Sequence, residues 1–346
     1  MILLTALEAN AQKPMPNEQQ VITRVAFGSC AFQSVPQPIF RQIADTRPDI
    51  YLSLGDAIYA DYDLKARTTF NVTPVTLQRE WDVLGNSEDW QYLVNRTPMM
   101  ATWDNHDYGH HSAGEKFPLK NQSKLIFLNF FGEPEDSERR NRPGIYDAKV
   151  FGPPGKRTQI VLLDTRTFKT EQILAERPEG VTGSLGKFAP NASQAATVLG
   201  ADQWDWLYRQ LDQPAEVRLI VSSGQVVANE KGMDEWGSYP LERRRLFDAL
   251  KTVGQGKVLI LSGNVHFSEI SKVKEDDFEL LDFTSSGLTH INENYPNAPN
   301  RWRITGPFVK NNFGQIDIEW NDHGEPSIIL TALGVDGKIG FQHLME

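Results

Sequence analysis

The chain has a single cysteine, Cys30, in 346 residues. No internal disulfide can form, and cysteine usage leaves the redox compartment open. Long hydrophobic runs are missing too: nothing approaches the roughly 18 apolar residues that cross a bilayer, so no membrane span is expected. There is no basic excess. Lys and Arg number 35 against 45 Asp and Glu, a net charge of −10. That balance argues against binding nucleic-acid backbones, which takes basic surface. It leaves a small phosphate ester open as substrate, because a bound metal reverses the sign of charge locally. There is no internal repeat, low-complexity tract or convincing linker. Asp61-Tyr62-Asp63 reads as a solvated loop, with further oxygen ligands as the alternative, and has neither the Gly nor the later Glu of an EF-hand loop.

What is present is an ordinary globular composition, 40% hydrophobic and 23% charged, long enough to bury a sizeable core. Residues 1–20 read as a leader or the remnant of an export signal, and residues 21–346 as a single domain. Residues 2–7 are apolar, and Ala9-Asn10-Ala11 fits a small-x-small cleavage site. A periplasmic or secreted location is the expectation from that stretch.

The chain is organised around the acidic turn Leu54-Gly55-Asp56-Ala57-Ile58-Tyr59, which follows an apolar strand over residues 50–54. Gly55 allows a sharp bend and close approach. Asp56 is then left at a strand tip with the Tyr59 phenol three residues on. Five other apolar runs, at residues 21–27, 98–102, 159–163, 217–221 and 258–261, read as strands that also end in polar clusters. Their tips are Gly28-Ser29-Cys30, Asp104-Asn105-His106, Asp164-Thr165-Arg166, Ser223-Gly224-Gln225 and Gly263-Asn264-Val265-His266. Helical spacing over residues 37–44 and 124–131, at Trp204, Leu207, Tyr208 and Leu211, and at Leu246, Leu250 and Val253 separates several of them. Strands alternating with helices predict an α/β sheet, where ligands gather at the carboxyl ends of the strands. Residues 176–200 read as a long surface loop, a lid or insertion. The Arg243-Arg244-Arg245 run reads as a solvated face. The stretch from residue 278 reads as strand-rich, with a hairpin turn at Asp336-Gly337.

Sorted by chemistry, the tips point to metal. Cys30, Asp56, Tyr59 and His266 offer thiolate, carboxylate, phenolate and imidazole. Ferric iron suits the phenolate and tolerates the thiolate; zinc suits the other three. Asp56, Asn105, Gln225 and Asn264 offer oxygens, which calcium or magnesium prefers. With Asp56 shared, two ions about 4 Å apart would clamp a phosphoryl group.

Five stretches occur in order between about residues 21 and 290: Phe27-Gly28-Ser29-Cys30, Gly55-Asp56-Ala57-Ile58-Tyr59, Trp103-Asp104-Asn105-His106-Asp107, Asp164-Thr165-Arg166 and Leu261-Ser262-Gly263-Asn264-Val265-His266. On these the chain resembles the alkaline phosphatase D (PhoD-like) branch of the calcineurin-type metallophosphoesterases. The resemblance implies a four-layer αββα sandwich of two mixed sheets flanked by helices, with a dinuclear centre. By it, Cys30, Asp56, Tyr59 and His266 would hold Fe3+, and Asp56, Asn105, Gln225 and Asn264 would hold Ca2+, with Zn2+, Mn2+ or Mg2+ as alternatives. His106 would donate a proton to the leaving oxygen or a hydrogen bond to a phosphoryl oxygen. Asp107 from the same motif and Arg166 complete the expected catalytic set, Arg166 approaching the phosphate or pairing with Asp164. The implied function is hydrolysis of phosphate monoesters or diesters by a metal-activated hydroxide. The alternatives are a specialised diesterase or triesterase, and a non-catalytic calcium-binding module. Two departures stand out. Asn264 replaces the Asp usual in the family, and Asn105 stands where many relatives have an acid; both should weaken the second ion. His110 and His111 are expected to be surface imidazoles. Oligomeric state is not readable.

Overall fold

Alternate residues along each predicted strand belong to two different cores, and this makes the layers. Val25 and Phe27, Ile50 and Leu52, Leu219 and Val221, and Leu259 and Leu261 point into one apolar cluster. Ala26 and Tyr51 point into a second, and Ile220 and Ile260 into a third. Strands buried on both faces need helices outside them, as in other layered α/β folds. The computed structural model describes residues 12–64, 66–176, 186–254, 256–276 and 278–345.

All six predicted strands form: β1 (Arg24–Gly28), β2 (Ile50–Ser53), β3 (Met99–Ala101), β5 (Thr158–Leu162), β6 (Val217–Val221) and β7 (Lys257–Ser262). The two large sheets are completed by β4 (Asp147–Phe151), β8 (Ser268–Glu275), β9 (Phe278–Ser285), β10 (Arg303–Phe308), β11 (Asn312–Trp320), β12 (Pro326–Gly334) and β13 (Ile339–Met345). One sheet has the order β13-β12-β11-β1-β2-β3; the other runs β10-β8-β9-β7-β6-β5-β4. Both are mixed. β1, β2 and β3 are parallel, as are β5, β6, β7 and β9, and the remaining pairs are antiparallel. The sheets share the first cluster face to face. Helices Ile39–Asp45, Pro74–Gly85, Glu88–Val94 and Lys120–Phe130 cover the outside of the first sheet. Helices Gly200–Leu211 and Pro240–Thr252 cover the second. The architecture is the four-layer αββα sandwich.

The sheets are tied at the end where the parallel strands finish. Thr102 Oγ1 donates to the Leu163 carbonyl at 2.8 Å, and Trp103 Nε1 to Asp164 Oδ1 at 2.9 Å. The tips of β3 and β5 therefore meet.

Some local readings change. Helices Pro74–Gly85 and Glu88–Val94 lie in a stretch for which the sequence suggested no element. The first is started by a capping box between Thr73 and Thr76 with Pro74 in its first turn. Two-residue strands Ile173–Leu174 and Phe188–Ala189 pair across the expected loop. Its residues 177–185, and the apolar 2–7 and Ala9-Asn10-Ala11 of the expected leader, lie outside the described residues. The leader's later part is anchored to the body: Lys13 N donates to the Val94 carbonyl, and Gly152 N to the Glu18 carbonyl. Arg244 is exposed as expected, but Arg243 donates to the carbonyls of Val226 and Val227. The β12–β13 turn passes through Asp336-Gly337, with Gly337 at φ 73°. No helix among the described residues is long and apolar enough to cross a membrane.

Candidate metal centre

Cys30, Asp56 and His266 come together from the ends of β1, β2 and β7. One ligand atom of each lies within 4.8 Å of the other two, and all three residues are buried. Among the described residues no other such group of His, Cys, Asp and Glu forms. Bringing them together bends the backbone into the left-handed region, at φ 63° for Cys30, 49° for Asp56, 70° for Asn264 and 62° for His266. Each such non-glycine residue costs on the order of 1–3 kcal/mol, and such strain gathers at functional sites. Gly55 makes the Asp56 turn feasible: its φ is +98°, and a Cβ there would collide with the Asp104 backbone.

The turn is gripped by Asp107. Its Oδ1 accepts from Ala57 N at 2.8 Å and Ile58 N at 3.1 Å, and its Oδ2 from Asp104 N at 2.9 Å and from Asp56 N. Those four bonds occupy its carboxylate and tie Asp107 to the Asp56 turn.

The donor set fits a cation. Burial, then Asp56, pushes the Cys30 thiol up. Burial, with help from Asp104 and Asp107, pushes the Asp56 carboxyl up. Burial, then Cys30 and Asp56, does the same to the Tyr59 phenol. A cation would reverse these penalties, because coordination ionises such groups. Burial, then the neighbouring His290, holds the His266 imidazole in its neutral, ligating form. Its Nδ1 is buried without a hydrogen-bond partner. Ser286 links two members of the set, accepting from His266 N at 2.9 Å and lying 3.1 Å from Cys30 Sγ.

A cavity of about 560 Å³ lies over the centre. Tyr59, Asn264 and four of the seven histidines, His106, His111, His266 and His290, line it, with Phe32, Tyr62, Phe188 and Tyr295 as aromatic wall. His106 stacks on Tyr59 with ring centroids 4.3 Å apart. Its Nδ1 lies 2.5 Å from Asp61 Oδ1. Burial opposes charge on this imidazole, but Asp56 and Asp61 overcome it and raise its pKa to about 9.

The other predicted residues fare differently. Asn105 is buried with its amide nitrogen unpartnered. The amide of Asn264 donates to the Asp234 carbonyl at 3.0 Å. Gln225 is turned away: its Nε2 donates to Glu269 and Thr284, each at 2.8 Å, and its Oε1 accepts from the buried Lys231 ammonium. It is not a ligand. The Arg166 guanidinium is buried between Asp104 and Asp234, with Nε 2.6 Å from Asp104 Oδ1 and Nη1 2.5 Å from Asp234 Oδ2. It contacts neither the cavity nor the Asp164 carboxylate through its side chain; only its backbone N–H donates to Asp164. Both paired imidazoles, His110 and His111, are exposed as expected, and His111 also borders the cavity.

Three neighbours went unread or undervalued. Asp61 is buried, not solvated. Asp234 compensates both Arg166 and Lys169. His290 reaches Tyr59, its Nδ1 being 2.9 Å from the phenol oxygen, and stacks on His266 at 3.7 Å. Residues after β9 bring it there: Thr289 N and His290 N both donate to the Cys30 carbonyl.

A thiol–carboxylate–imidazole centre at the facing tips of two mixed sheets, within four layers, defines a metallophosphoesterase-like sandwich. The family model described as PhoD-like phosphatase matches residues 138–307. Alkaline phosphatase D of Bacillus subtilis (strain 168) is 24% identical over 295 residues, 76% of this chain and 49% of the relative. The chain thus spans about half the length of that curated relative. A solved structure of PhoD superposes with a TM-score of 0.67 over 96% of this chain and 73% of that one, at 16% identity. At that identity the superposition speaks for the fold. Over residues 138–307 the chain is similar to the PhoD-like phosphatases.

Proposed function

We propose that this chain is a metal-dependent phosphoric ester hydrolase acting on phosphomonoesters or phosphodiesters. The observation that carries the reading is the Cys30–Asp56–His266 trio, whose His266 lines one cavity with Tyr59 and His106. Cys30, Asp56, His266 and Tyr59 would hold the ion, ferric iron from the phenolate–thiolate set or zinc if the phenol stays protonated. When bound, the ion supplies Lewis acidity at a phosphoryl oxygen and at water.

The chain's own groups do the rest. Asp61 accepts from His106 Nδ1 and so fixes the tautomer and ring orientation, leaving Nε2 to give a proton to the departing alkoxide. Asp107 and Gly55 hold Asp56 in place. Arg166 keeps Asp104 in register from below and does not meet the phosphate. In this reading water attacks phosphorus directly and no covalent enzyme intermediate forms.

Hydrolysis of p-nitrophenyl phosphate and bis-p-nitrophenyl phosphate, with elemental analysis of the same sample, tests this. Metal-dependent release of nitrophenol without a pre-steady-state burst is expected. Bound metal with no hydrolysis of either ester would favour a non-catalytic binding module.

A further inference from the structure

We infer that this chain holds one metal ion per active centre and that the neighbouring oxygen-donor position does not take a second. The inference rests on the hydrolase reading above and goes beyond it by fixing the metal stoichiometry.

Four side chains were expected at the second position: Asp56, Asn105, Gln225 and Asn264. Gln225 is removed from that set. Its oxygen is held by Lys231, whose ammonium also pairs with Glu269, and both residues are fully buried. Glu269 is locked from its other side by Arg303, and Asn300 donates to it at 2.9 Å. Drawing Gln225 back would leave buried charged and polar groups without a partner, a costly change. A fixed ammonium thus occupies the amide oxygen that a cation would need.

What remains is poor in charge. Asn105 and Asn264 are neutral. Asp56 is the one carboxylate of the set, and it already belongs to the Cys30–Asp56–His266 trio. Asp104, next to Asn105, has an unpartnered buried Oδ2. Its charge is matched by Arg166, and its Oδ1 also accepts from Ser223 at 2.9 Å. It joins no ligand cluster among the described residues. Cys30, Asp56 and Tyr59 can supply at most three negative charges, which one trivalent ion neutralises. Within that donor set no charge is left over for a second ion. Calcium sites reach useful affinity through several carboxylates, and weak ones bind in the ~10⁻⁴–10⁻³ M range.

The test counts ions and does not depend on turnover. Protein purified without chelators is analysed for metal per chain, then titrated calorimetrically with CaCl2. One transition-metal ion per chain and no calcium saturation below about 1 mM are expected. Two ions per chain, or micromolar calcium binding, would overturn the inference while leaving the hydrolase reading intact. No retained ion at all would overturn both. Asn105→Asp adds a carboxylate where the present amide nitrogen has no partner, so it sacrifices no hydrogen bond. It should tighten calcium at least ~10-fold, as added ligand charge does, with the first ion still at one per chain. Asn264→Asp should act in the same direction. Unchanged calcium affinity in both variants would show that charge is not what limits the second position.

Discussion

Asp61 Oδ1 and His106 Nδ1 lie 2.5 Å apart, although 45 positions separate them in the chain. Asp61 is buried, and its second oxygen accepts from His111 N at 2.9 Å. The carboxylate is held from both sides and in turn holds the imidazole. His106→Ala should keep its metal and lose turnover by about 10²-fold or more. Asp61→Asn should lower kcat by about 10²-fold with little change in KM, because ring orientation is lost and binding is not. Steady-state kinetics beside metal analysis check both; unchanged kcat in His106→Ala removes it from the chemistry.

Arg166 makes a different kind of prediction. It sits between Asp104 and Asp234 with almost no exposure. Arg166→Met would strand two buried carboxylates, one of them shared with Lys169. The expected cost is ~3–5 kcal/mol of stability, read as a fall in denaturation midpoint. A variant that folds as well as the parent but has a sharply raised KM would instead return Arg166 to the phosphate.

Metal removal should destabilise the fold, because the trio is assembled only in the native chain. An ion at 100 times its Kd adds about 2.7 kcal/mol. Prolonged dialysis against a strong chelator should therefore lower the melting temperature, and the lost ion should restore it. If the ion is ferric, a visible phenolate band is expected, and Tyr59→Phe should abolish it. An iron-loaded parent without that band would remove Tyr59 from the ligand set.

Glu216 provides a pH-dependent contribution far from the centre. It accepts from Arg157 N at 2.6 Å, from the Arg157 side chain at 2.9 and 3.3 Å, and from Gly155 N at 3.3 Å. Burial opposes its ionisation, but the Arg157 bonds outweigh this and hold the carboxyl below its ordinary 4.5. The resulting stability is complete above that value and fades as pH falls through the lower folded one. Glu216→Gln should cost about 1 kcal/mol at pH 7, and the difference should shrink in acid below the folded value. A difference independent of pH would mean that packing, not charge, sets it.

The six strands and their tips were legible in the sequence because burial on both faces demands unbroken apolar runs. Polar residues then collect where each run stops. Cys30, Asp56, His266 and Tyr59 could be sorted by chemistry alone, since ligand preference belongs to the atom and not to the fold. Which way a side chain turns is decided by partners distant in sequence, and only the tertiary structure sets them. Lys231 and Glu269 hold the two ends of the Gln225 amide. Asp104 and Asp234 take Arg166 away from the cavity, and four backbone amides occupy Asp107. Asp61 could pass for a loop acid until His106 is packed against it, and His290 had no local signal at all. It meets Tyr59 across 231 positions of chain, a contact made only once the segment after β9 has packed on the Cys30 turn.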